Sequence, residues 1–410
     1  MPISNYRERT LAGFLSSAIN QQPALVITGP RESGKTTLVR HLFGESHSFC
    51  PLDDPSVRRQ AQADPRMLLT RYPPPVIFDE IQYAPALLPI IEQDLQQALP
   101  GENRYVITGS QIFPLMEGVT DALLAKVVMT TLLSMSFREI AEESESDLSW
   151  PQIVNAKTDD PGSSSPVAIS ERILRGGFPD PALDKSLDPQ MWHSSYIQTY
   201  LERDSRALRA VMDLGDFERF VFALAARSAQ LINLQDMARD LGVTGKTVRA
   251  WIEVLEASGQ VFVLRHLPIN LGKRVSKRPK VYFLDTGTLA FLMNVTMTDQ
   301  VLSGMAAEPL FEAAVLGQIL RLFVHRVRPG GIHFWHTAAG HKVDFIIEDG
   351  AKLIPIEAKL TSTPTYRDAA SIMSFQRDFG SRVTKGLVVC LCRKRIPLTK
   401  SVDAIPLSYL

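Results

Sequence analysis

Apolar and polar positions in the first 140 residues alternate between strand-like and helix-like patterns, which is typical of an α/β sheet flanked by helices. Apolar runs predict buried strands at 24–28, 76–78 and 104–108, and helical spacing predicts helices at 35–43 and 85–99. The last helix ends before Pro100-Gly101, a pair that stops helices. This part of the chain is therefore predicted to be an α/β domain.

From Phe217 to Val263 the pattern becomes helical throughout. Helices are predicted at 217–229, 234–241 and 244–257, the second capped by Asn233 and the third by Thr244. Only a tight turn at Gly242-Val243 separates the second helix from the third, and an apolar strand at 261–267 follows. Two helices across a glycine turn, followed by strands, predict a winged helix-turn-helix.

A change in composition divides these segments. Between Ala141 and Ser165 the chain is rich in Glu, Ser, Asp, Pro and Gly, which predicts a linker. A chain of 410 residues also exceeds one ordinary hydrophobic core. The predicted fold class is an α/β multidomain protein with an α/β domain at 1–145, a linker at 146–169, a helical, winged helix-turn-helix domain at 170–290 and a second α/β domain at 291–410.

Bulk composition narrows the classes of function. The formal net charge is zero, so any nucleic-acid surface must be local. Three cysteines cannot make a disulfide framework or, unaided, a zinc site, and they favour a reducing cytoplasm. The N-terminus lacks an apolar signal segment and no apolar stretch approaches membrane-spanning length, so a cytoplasmic protein with no membrane partner is expected.

The segment between the first strand and its helix reads GPRESGKT, a Walker A loop in its strand–loop–helix context. Its glycines let backbone N–H groups turn inward toward phosphate charge. Lys35 is expected to reach the β- and γ-phosphates of ATP, and the Thr36 hydroxyl to ligate Mg²⁺. The predicted ATP-binding residues of this segment are Gly29, Pro30, Arg31, Glu32, Ser33, Gly34, Lys35, Thr36 and Thr37.

The second strand ends in Asp79-Glu80, the Walker B arrangement. Asp79 is predicted to hold Mg²⁺, and Glu80 to orient or deprotonate the attacking water as the catalytic residue. The third strand ends at Thr108, whose side chain could sense the γ-phosphate, although Thr-Gly-Ser is also ordinary turn chemistry.

Basic residues surround the predicted helix-turn-helix. Thr244, Lys246, Thr247 and Arg249 lie near the start of its third helix, and the wing contains Arg265, Lys273, Arg274, Lys277, Arg278 and Lys280. No acidic residue lies between Glu256 and Asp285. DNA backbone contact is one interpretation. A protein-packing module with a solvated basic strand face is the other.

The C-terminal third carries a second chemical pattern. Strands are predicted at 342–347 and 353–359 across the turn Asp349-Gly350, so Glu357 and Lys359 face one side and Asp344 can approach them. These three residues form the minimal set of a PD-(D/E)xK nuclease core, with Asp344 and Glu357 holding Mg²⁺ and Lys359 positioning the nucleophile. Glu312, on a predicted helix at 310–320, is a further candidate. An ordinary ion-pair ladder is the alternative, and His333, His336 and His341 are interpreted as non-metal residues.

The chain resembles the prokaryotic AAA-type ATPases that couple an N-terminal P-loop domain to a C-terminal domain of unknown function with a nuclease-like fold. The resemblance covers nearly the whole chain and rests on GPRESGKTTL, VIFDEIQ, VITGSQ, LRGGFPD, YIQTYLERD, LQDMARDLGVTGKTVRAWIEVLEASG, PKVYFLDTG and VDFII…IPIEAK. It implies an AAA-like domain, a winged-helix middle domain and a restriction-endonuclease-like end.

Two positions depart from that family. Ala125-Lys126 stands where relatives usually have Gly-Arg, and a lysine copies an arginine finger poorly. Gln318 stands where a second glutamate often follows the position of Glu312. The leading hypothesis is an Mg-ATP hydrolase that couples nucleotide state to the winged-helix and nuclease-like modules, with an oligomer possible. The alternatives are an ATP-switched DNA-binding regulator with a degenerate nuclease domain and an ATP-gated DNA nuclease.

Overall fold

The computed structural model describes residues 6–99, 101–110, 126–143, 165–201, 213–268, 278–327, 330–337 and 340–410. These described residues divide into two compact units. The ranges of unit 1 are Met1–Asp147, Ala257–Gly259 and Phe323–Arg328, and those of unit 2 are Leu148–Glu256, Gln260–Leu322 and Pro329–Leu410. Of the predicted linker, residues 146–164 lie outside the described part of the chain.

Unit 1 is built on a five-stranded parallel sheet with the order β2-β3-β4-β1-β5. Its strands are β1 (Ala24–Thr28), β2 (Ser48–Pro51), β3 (Val76–Asp79), β4 (Tyr105–Gly109) and β5 (Val127–Thr131). Every residue of β1, β3 and β4 is buried, which explains their unbroken apolar runs. Because the three strands are parallel neighbours, the loops that follow them open at one edge of the sheet.

Helices cover this sheet with apolar faces. They are α1 (Leu11–Ala18), α2 (Lys35–Phe43), α3 (Pro55–Ala63), α4 (Pro65–Arg71), α5 (Leu88–Gln97) and α6 (Phe137–Ile140). Asp54 and Asp64 cap α3 and α4, each followed by a proline at the first helical position. The predicted strands and helices of this region are confirmed to within a few residues, and the predicted helix at 85–99 begins with a 3₁₀ turn at Pro85–Leu87.

Unit 2 contains the helices of the middle region and a second sheet. Its helices are α7 (Pro166–Arg175), α8 (Pro179–Leu183), α9 (Pro189–Thr199), α10 (Leu214–Ala225), α11 (Leu234–Leu241), α12 (Gly245–Ala257), α13 (Thr286–Leu292), α14 (Thr298–Leu302), α15 (Ala307–Val324) and α16 (Ala370–Phe379). The last residue of α12 and the last two of α15 fall in the ranges of unit 1. None of the helices among the described residues combines the length and apolar character needed to cross a lipid bilayer.

The two helices of the predicted helix-turn-helix, α11 and α12, begin and end close to the predicted positions. The Asn233 side chain accepts from the Gln235 N–H at 3.1 Å, and the Thr244 hydroxyl accepts from the Thr247 N–H at 3.1 Å. Gly242 lies between the helices with a φ of 72°, the left-handed region that favours glycine. Both predicted caps are therefore confirmed.

The second sheet has eight strands in the order β12-β13-β11-β10-β9-β8-β6-β7. They are β6 (Val261–His266), β7 (Lys280–Phe283), β8 (Ile332–His336), β9 (Lys342–Asp349), β10 (Lys352–Ala358), β11 (Gly386–Cys390), β12 (Ile396–Pro397) and β13 (Val402–Pro406). The predicted wing strand, β6, pairs in parallel with β8, with Arg265 opposite His333. The sheet therefore takes strands from both sides of position 290, and the predicted winged-helix and nuclease-like domains stay predictions.

Candidate functional site

The loop between β1 and α2 has the backbone of an anion cradle. Gly29 has a φ of 141°, and a Cβ atom added there would lie 2.1 Å from the Leu132 carbonyl oxygen, so the position requires glycine. Gly34 has a φ of 92° and caps α2 without any side chain of its own. The first N–H groups of α2 therefore point toward the loop, where a helix terminus attracts negative charge.

Lys35 lies buried in this loop with only 3% of its side chain exposed. Its Nζ atom donates to the carbonyl oxygens of Gly29 at 3.0 Å and Pro30 at 2.9 Å, and lies 4.0 Å from Glu80 Oε1. Burial lowers the pKa of Lys35 while the charges of Glu80 and Asp79 act against it. An anion in the loop would gain this poorly solvated ammonium as a partner, which fits a phosphate.

Thr36, Asp79 and Thr108 meet at the carboxyl edge of the sheet. The Thr36 hydroxyl donates to both oxygens of Asp79 at 2.9 Å, and the Thr108 hydroxyl donates to Asp79 Oδ1 at 2.6 Å. Burial raises the pKa of Asp79, and the hydrogen bonds from Thr108 and Thr36 lower it in part. The structure thus brings the two predicted Mg²⁺ ligands of this site into contact. A hydroxyl and a carboxylate are oxygen ligands that a hard cation takes.

Glu80 follows β3 with a φ of 60°, and its N–H donates to the Thr108 hydroxyl at 3.0 Å. The Ser110 hydroxyl donates to its carboxylate at 2.8 and 2.9 Å, and Gln82 Nε2 donates to Oε2. Burial raises the pKa of Glu80, but the Lys35 charge and these hydrogen bonds bring it below its ordinary value. The side chain is therefore ionised at neutral pH, as a proton acceptor must be.

Ser110 and Gln82 belong to the site but were not among the predicted site residues. Ser110 stands in the motif VITGSQ directly after β4, and Gln82 stands in VIFDEIQ, in the 3₁₀ turn Ile81–Tyr83 that follows β3. Their position past a strand end was the available signal. The structure also places other predicted ATP-binding residues of this segment. Arg31 Nε lies 3.9 Å from Glu32 Oε1, Ser33 is buried, and Thr37 is exposed on α2.

A buried ionic network holds the loop 29–36 at the Ser33 carbonyl oxygen. Arg9 donates to the Ser33 carbonyl oxygen and to the Leu133 carbonyl oxygen, both at 2.8 Å, and its Nε lies 3.3 Å from Glu139 Oε1. His325 Nδ1 lies 3.2 Å from the same Glu139 oxygen. No local pattern marks Arg9 or His325, because their partners are far away in sequence.

The predicted residues of the second site, in unit 2, also come together. Asp344 on β9 accepts from the Ala358 N–H at 3.3 Å, and Lys359 Nζ lies 3.2 Å from Glu357 Oε2 at the end of β10. Asp344 and Glu357 are 2% and 0% exposed. Burial and the neighbouring Asp344 raise the pKa of Glu357 well above its ordinary value, whereas burial of Asp344 is outweighed by Lys280 and other cations that lower its pKa.

We define the carboxylate cluster as Glu312, Asp344 and Glu357. Two further residues, Lys280 and Tyr282, contact it. Lys280 Nζ lies 2.7 Å from Glu312 Oε1 and 3.7 Å from Asp344 Oδ1, and the Tyr282 hydroxyl donates to Glu312 Oε1. Only 12% of the Lys280 side chain is exposed. The sequence analysis grouped Lys280 with the basic residues of the predicted wing, but its side chain is largely buried beside Glu312. Lys273, Arg274 and Lys277 lie outside the described residues.

Other sequence positions of interest are placed as follows. Lys126 Nζ donates to the Ala98 carbonyl oxygen at 3.1 Å, while Ala125 lies outside the described residues. Gln318 is buried within α15. His333 Nε2 lies 3.2 Å from Glu348 Oε2. In the part of the chain that the structure describes, no group of three or more His, Cys, Asp and Glu side chains could hold a metal ion.

Three family models match three successive parts of the chain. Residues 21–141 match a family model described as an AAA domain. Residues 167–299 match a domain of unknown function, DUF8612, and residues 307–410 match another, DUF4143.

Two relatives and several solved structures are similar to the chain. Uncharacterized proteins Mb2031c of Mycobacterium bovis and Rv2008c of Mycobacterium tuberculosis are each 28% identical over 401 residues, 97% of this chain and 83% of theirs. The Walker-type ATPase PABY2304 of Pyrococcus abyssi is 11% identical, covering 69% of this chain and 94% of its own, with a TM-score of 0.42. The RuvB Holliday junction branch migration motor of Thermotoga maritima is 16% identical, covering 63% and 89%, with a TM-score of 0.30. By its family-model match, the chain contains an AAA-type ATPase domain at residues 21–141.

Proposed function

We propose that the chain binds ATP with Mg²⁺ in the loop 29–36 and hydrolyses it, and that the nucleotide state acts on the modules of unit 2. The observation that carries this proposal is the contact of Thr36, Asp79 and Thr108 beside the buried Lys35. A hydroxyl, a carboxylate and an ammonium that converge at one helix N-terminus match the needs of a phosphate chain with its cation.

Each side chain has a separate task in this proposal. Lys35 gives up its carbonyl partners and donates to the terminal phosphates. Thr36 and Asp79 supply oxygen ligands, and the cation, when bound, neutralises charge on the β- and γ-phosphates. Glu80 orients a water molecule and accepts its proton, and Ser110 and Gln82 hold the Glu80 carboxylate in place for that step.

The position of Lys126 favours slow turnover. The family resemblance implies that this position supplies an arginine finger to the ATP site of a neighbouring copy. A lysine is a poor substitute there, because it cannot make the planar two-point contact of arginine. In this structure Lys126 donates to the Ala98 carbonyl oxygen instead. Slow hydrolysis is therefore expected of the proposed enzyme.

We predict that Lys35→Ala loses ATP binding, whereas Glu80→Gln keeps it and loses turnover by on the order of 100-fold or more. Calorimetry with ATP and Mg²⁺ measures the first effect, and phosphate release measures the second. Lys185 and Glu45 are exposed, so Lys185→Ala and Glu45→Gln serve as matched controls that should behave as wild type. Equal ATP affinity in Lys35→Ala and wild type would sink the proposal.

A second candidate function, an ATP-switched DNA-binding regulator, is favoured by the surface of α12. Lys246 and Arg249 are exposed near the first turn of this helix, where a recognition helix meets DNA. In this candidate the nucleotide is bound but rarely hydrolysed. The two candidates differ in a measurable way, because only the regulator requires salt-sensitive retention of DNA.

A further inference from the structure

The sequence pattern predicts Mg²⁺ at Asp344 and Glu357, and the residues present do not fit such a site. Their carboxylates are buried, but a lysine already lies among them. Lys280 reaches the cluster from β7, a strand that precedes the C-terminal segment with the nuclease-like pattern. Its Nζ is 2.7 Å from Glu312 Oε1 and 3.7 Å from Asp344 Oδ1, so one ammonium lies between two carboxylates from different elements.

Lysines already surround the carboxyl groups of the cluster. Its three carboxyl groups, Glu312, Asp344 and Glu357, face three lysines within 4.0 Å, namely Lys280, Lys342 and Lys359. Lys280 is the innermost of these, with 12% of its side chain exposed against 55% for Lys342 and 32% for Lys359. A divalent cation added to this arrangement would meet a fixed, poorly screened positive charge, which opposes its binding.

The cluster nevertheless retains free binding capacity. Among the described residues, no donor makes a hydrogen bond of good geometry to Asp344 Oδ1 or to either Glu357 oxygen. On the side of Glu312, the cluster also borders a cavity of about 520 Å³ lined in part by Ser228, Gln230, Glu308 and Leu360. Oxygen atoms that a cation could bind are thus present, and the ammonium of Lys280 lies between two of these carboxyl groups.

We propose that Lys280 occupies the cation position of the Glu312–Asp344–Glu357 cluster, and that this lysine excludes hard divalent cations from it. Lys280 is a specificity-determining residue in this proposal. It holds the cluster in a metal-free state. Metal-dependent cleavage at Asp344, Glu357 and Lys359 is then absent in the wild-type chain.

The test measures Mn²⁺ binding to the full chain without nucleotide, by electron paramagnetic resonance of the free ion. Wild type and Asp344→Asn should bind Mn²⁺ equally, because Asp344 holds none. Lys280→Met removes the charge at nearly constant volume and should bind one Mn²⁺ ion more than wild type. Adding Asp344→Asn to Lys280→Met should abolish that gain.

Lys342→Met is the matched control, because Lys342 also lies near Asp344 Oδ1, at 3.9 Å, but is half-exposed. Its removal should leave the number of bound Mn²⁺ ions as in wild type. Lys280→Gln keeps a donor for Glu312 and replaces Lys280→Met if that variant does not fold. A Mn²⁺ ion that wild type binds and Asp344→Asn does not bind would overturn the proposal, as would folded Lys280 variants that bind no better than wild type.

Discussion

At the scale of single residues, Asp79 is the centre of the proposed nucleotide site. Its carboxylate accepts from Thr36 on α2 and from Thr108 on β4, two elements that a parallel sheet brings to one edge. Burial raises the pKa of Asp79, while the hydrogen bonds from these hydroxyls lower it. Each hydroxyl therefore helps to keep the carboxylate ionised and ready for a cation.

We predict that Thr108→Val weakens this arrangement without changing its shape. Valine has a similar volume but leaves the Glu80 N–H without its acceptor and Asp79 without one donor. Stability should fall by about 1 to 3 kcal/mol, because buried polar groups lose partners, and ATP turnover should fall with it. Thr70 is exposed on α4, and Thr70→Val should stay within roughly 0.5 kcal/mol of wild type. Wild-type stability and turnover in Thr108→Val would contradict the role given to Thr108.

The sequence reveals some of these residues and not others for a physical reason. Lys35 and Thr36 begin α2 after the loop that follows β1, and Asp79 ends β3. They lie in short segments whose spacing reflects phosphate chemistry, so a local pattern is enough. Arg9 and Lys280 act through partners 24 and 32 residues away, at Ser33 and Glu312, and no local pattern carries that information. Lone basic residues look alike in a sequence, whether they face solvent or a buried carboxylate.

At the scale of elements, Glu139 joins the starts of two helices. Its carboxylate accepts from the Ser136 N–H in the capping box of α6 and from the Thr10 N–H at the start of α1, each at 2.8 Å. Arg9 and His325 complete its surroundings. Because Arg9 also holds the Ser33 carbonyl oxygen, the network fixes the loop 29–36 relative to α1.

We predict that Glu139→Gln destabilises the fold by about 3 to 5 kcal/mol at pH 7, because it leaves the buried Arg9 without its counter-charge. Burial alone would raise the pKa of Glu139, but Arg9, His325 and its hydrogen bonds hold it well below the ordinary value. This contribution is therefore complete above the unfolded pKa of about 4.3 and is lost as pH falls. Urea unfolding from pH 7 to pH 3 should show the gap between wild type and variant narrowing below about pH 4.

Glu142 provides the control for this prediction. It forms an ion pair with Arg7, but 61% of its side chain is exposed. Glu142→Gln should therefore cost less than about 1 kcal/mol and leave the pH profile unchanged. A Glu139→Gln variant as stable as Glu142→Gln would mean that the buried network contributes no net stability.

At the scale of the whole molecule, elements could be predicted better than their assembly. The helices and strands that periodicity and capping predicted are present, as α11 and α12 illustrate with Asn233 and Thr244. The pairing of β6 with β8 joins residues 265 and 333. Strand pairing over such a separation depends on tertiary packing rather than on local pattern. For the same reason the sequence could not show that Lys280, beside the predicted wing, faces the carboxylate cluster.

The last prediction concerns DNA. Lys246 and Arg249 are exposed on α12, and neither makes an ion pair within 4.0 Å that the structure records among its described residues. If α12 binds phosphates, the double variant Lys246→Glu and Arg249→Glu should retain duplex DNA more weakly, and its log–log salt slope should flatten by roughly 0.9 for each phosphate that the variant no longer neutralises. Lys185→Glu makes the same charge reversal at an exposed position outside this helix and should retain DNA as wild type does. Filter retention of a fluorescent duplex between low and moderate salt, with and without ATP, measures both quantities.

If wild type retains no DNA even at low salt, α11 and α12 form a protein-packing module and the regulator hypothesis falls. If retention is salt-sensitive but unchanged in the double variant, DNA binds elsewhere and the recognition role of α12 is wrong.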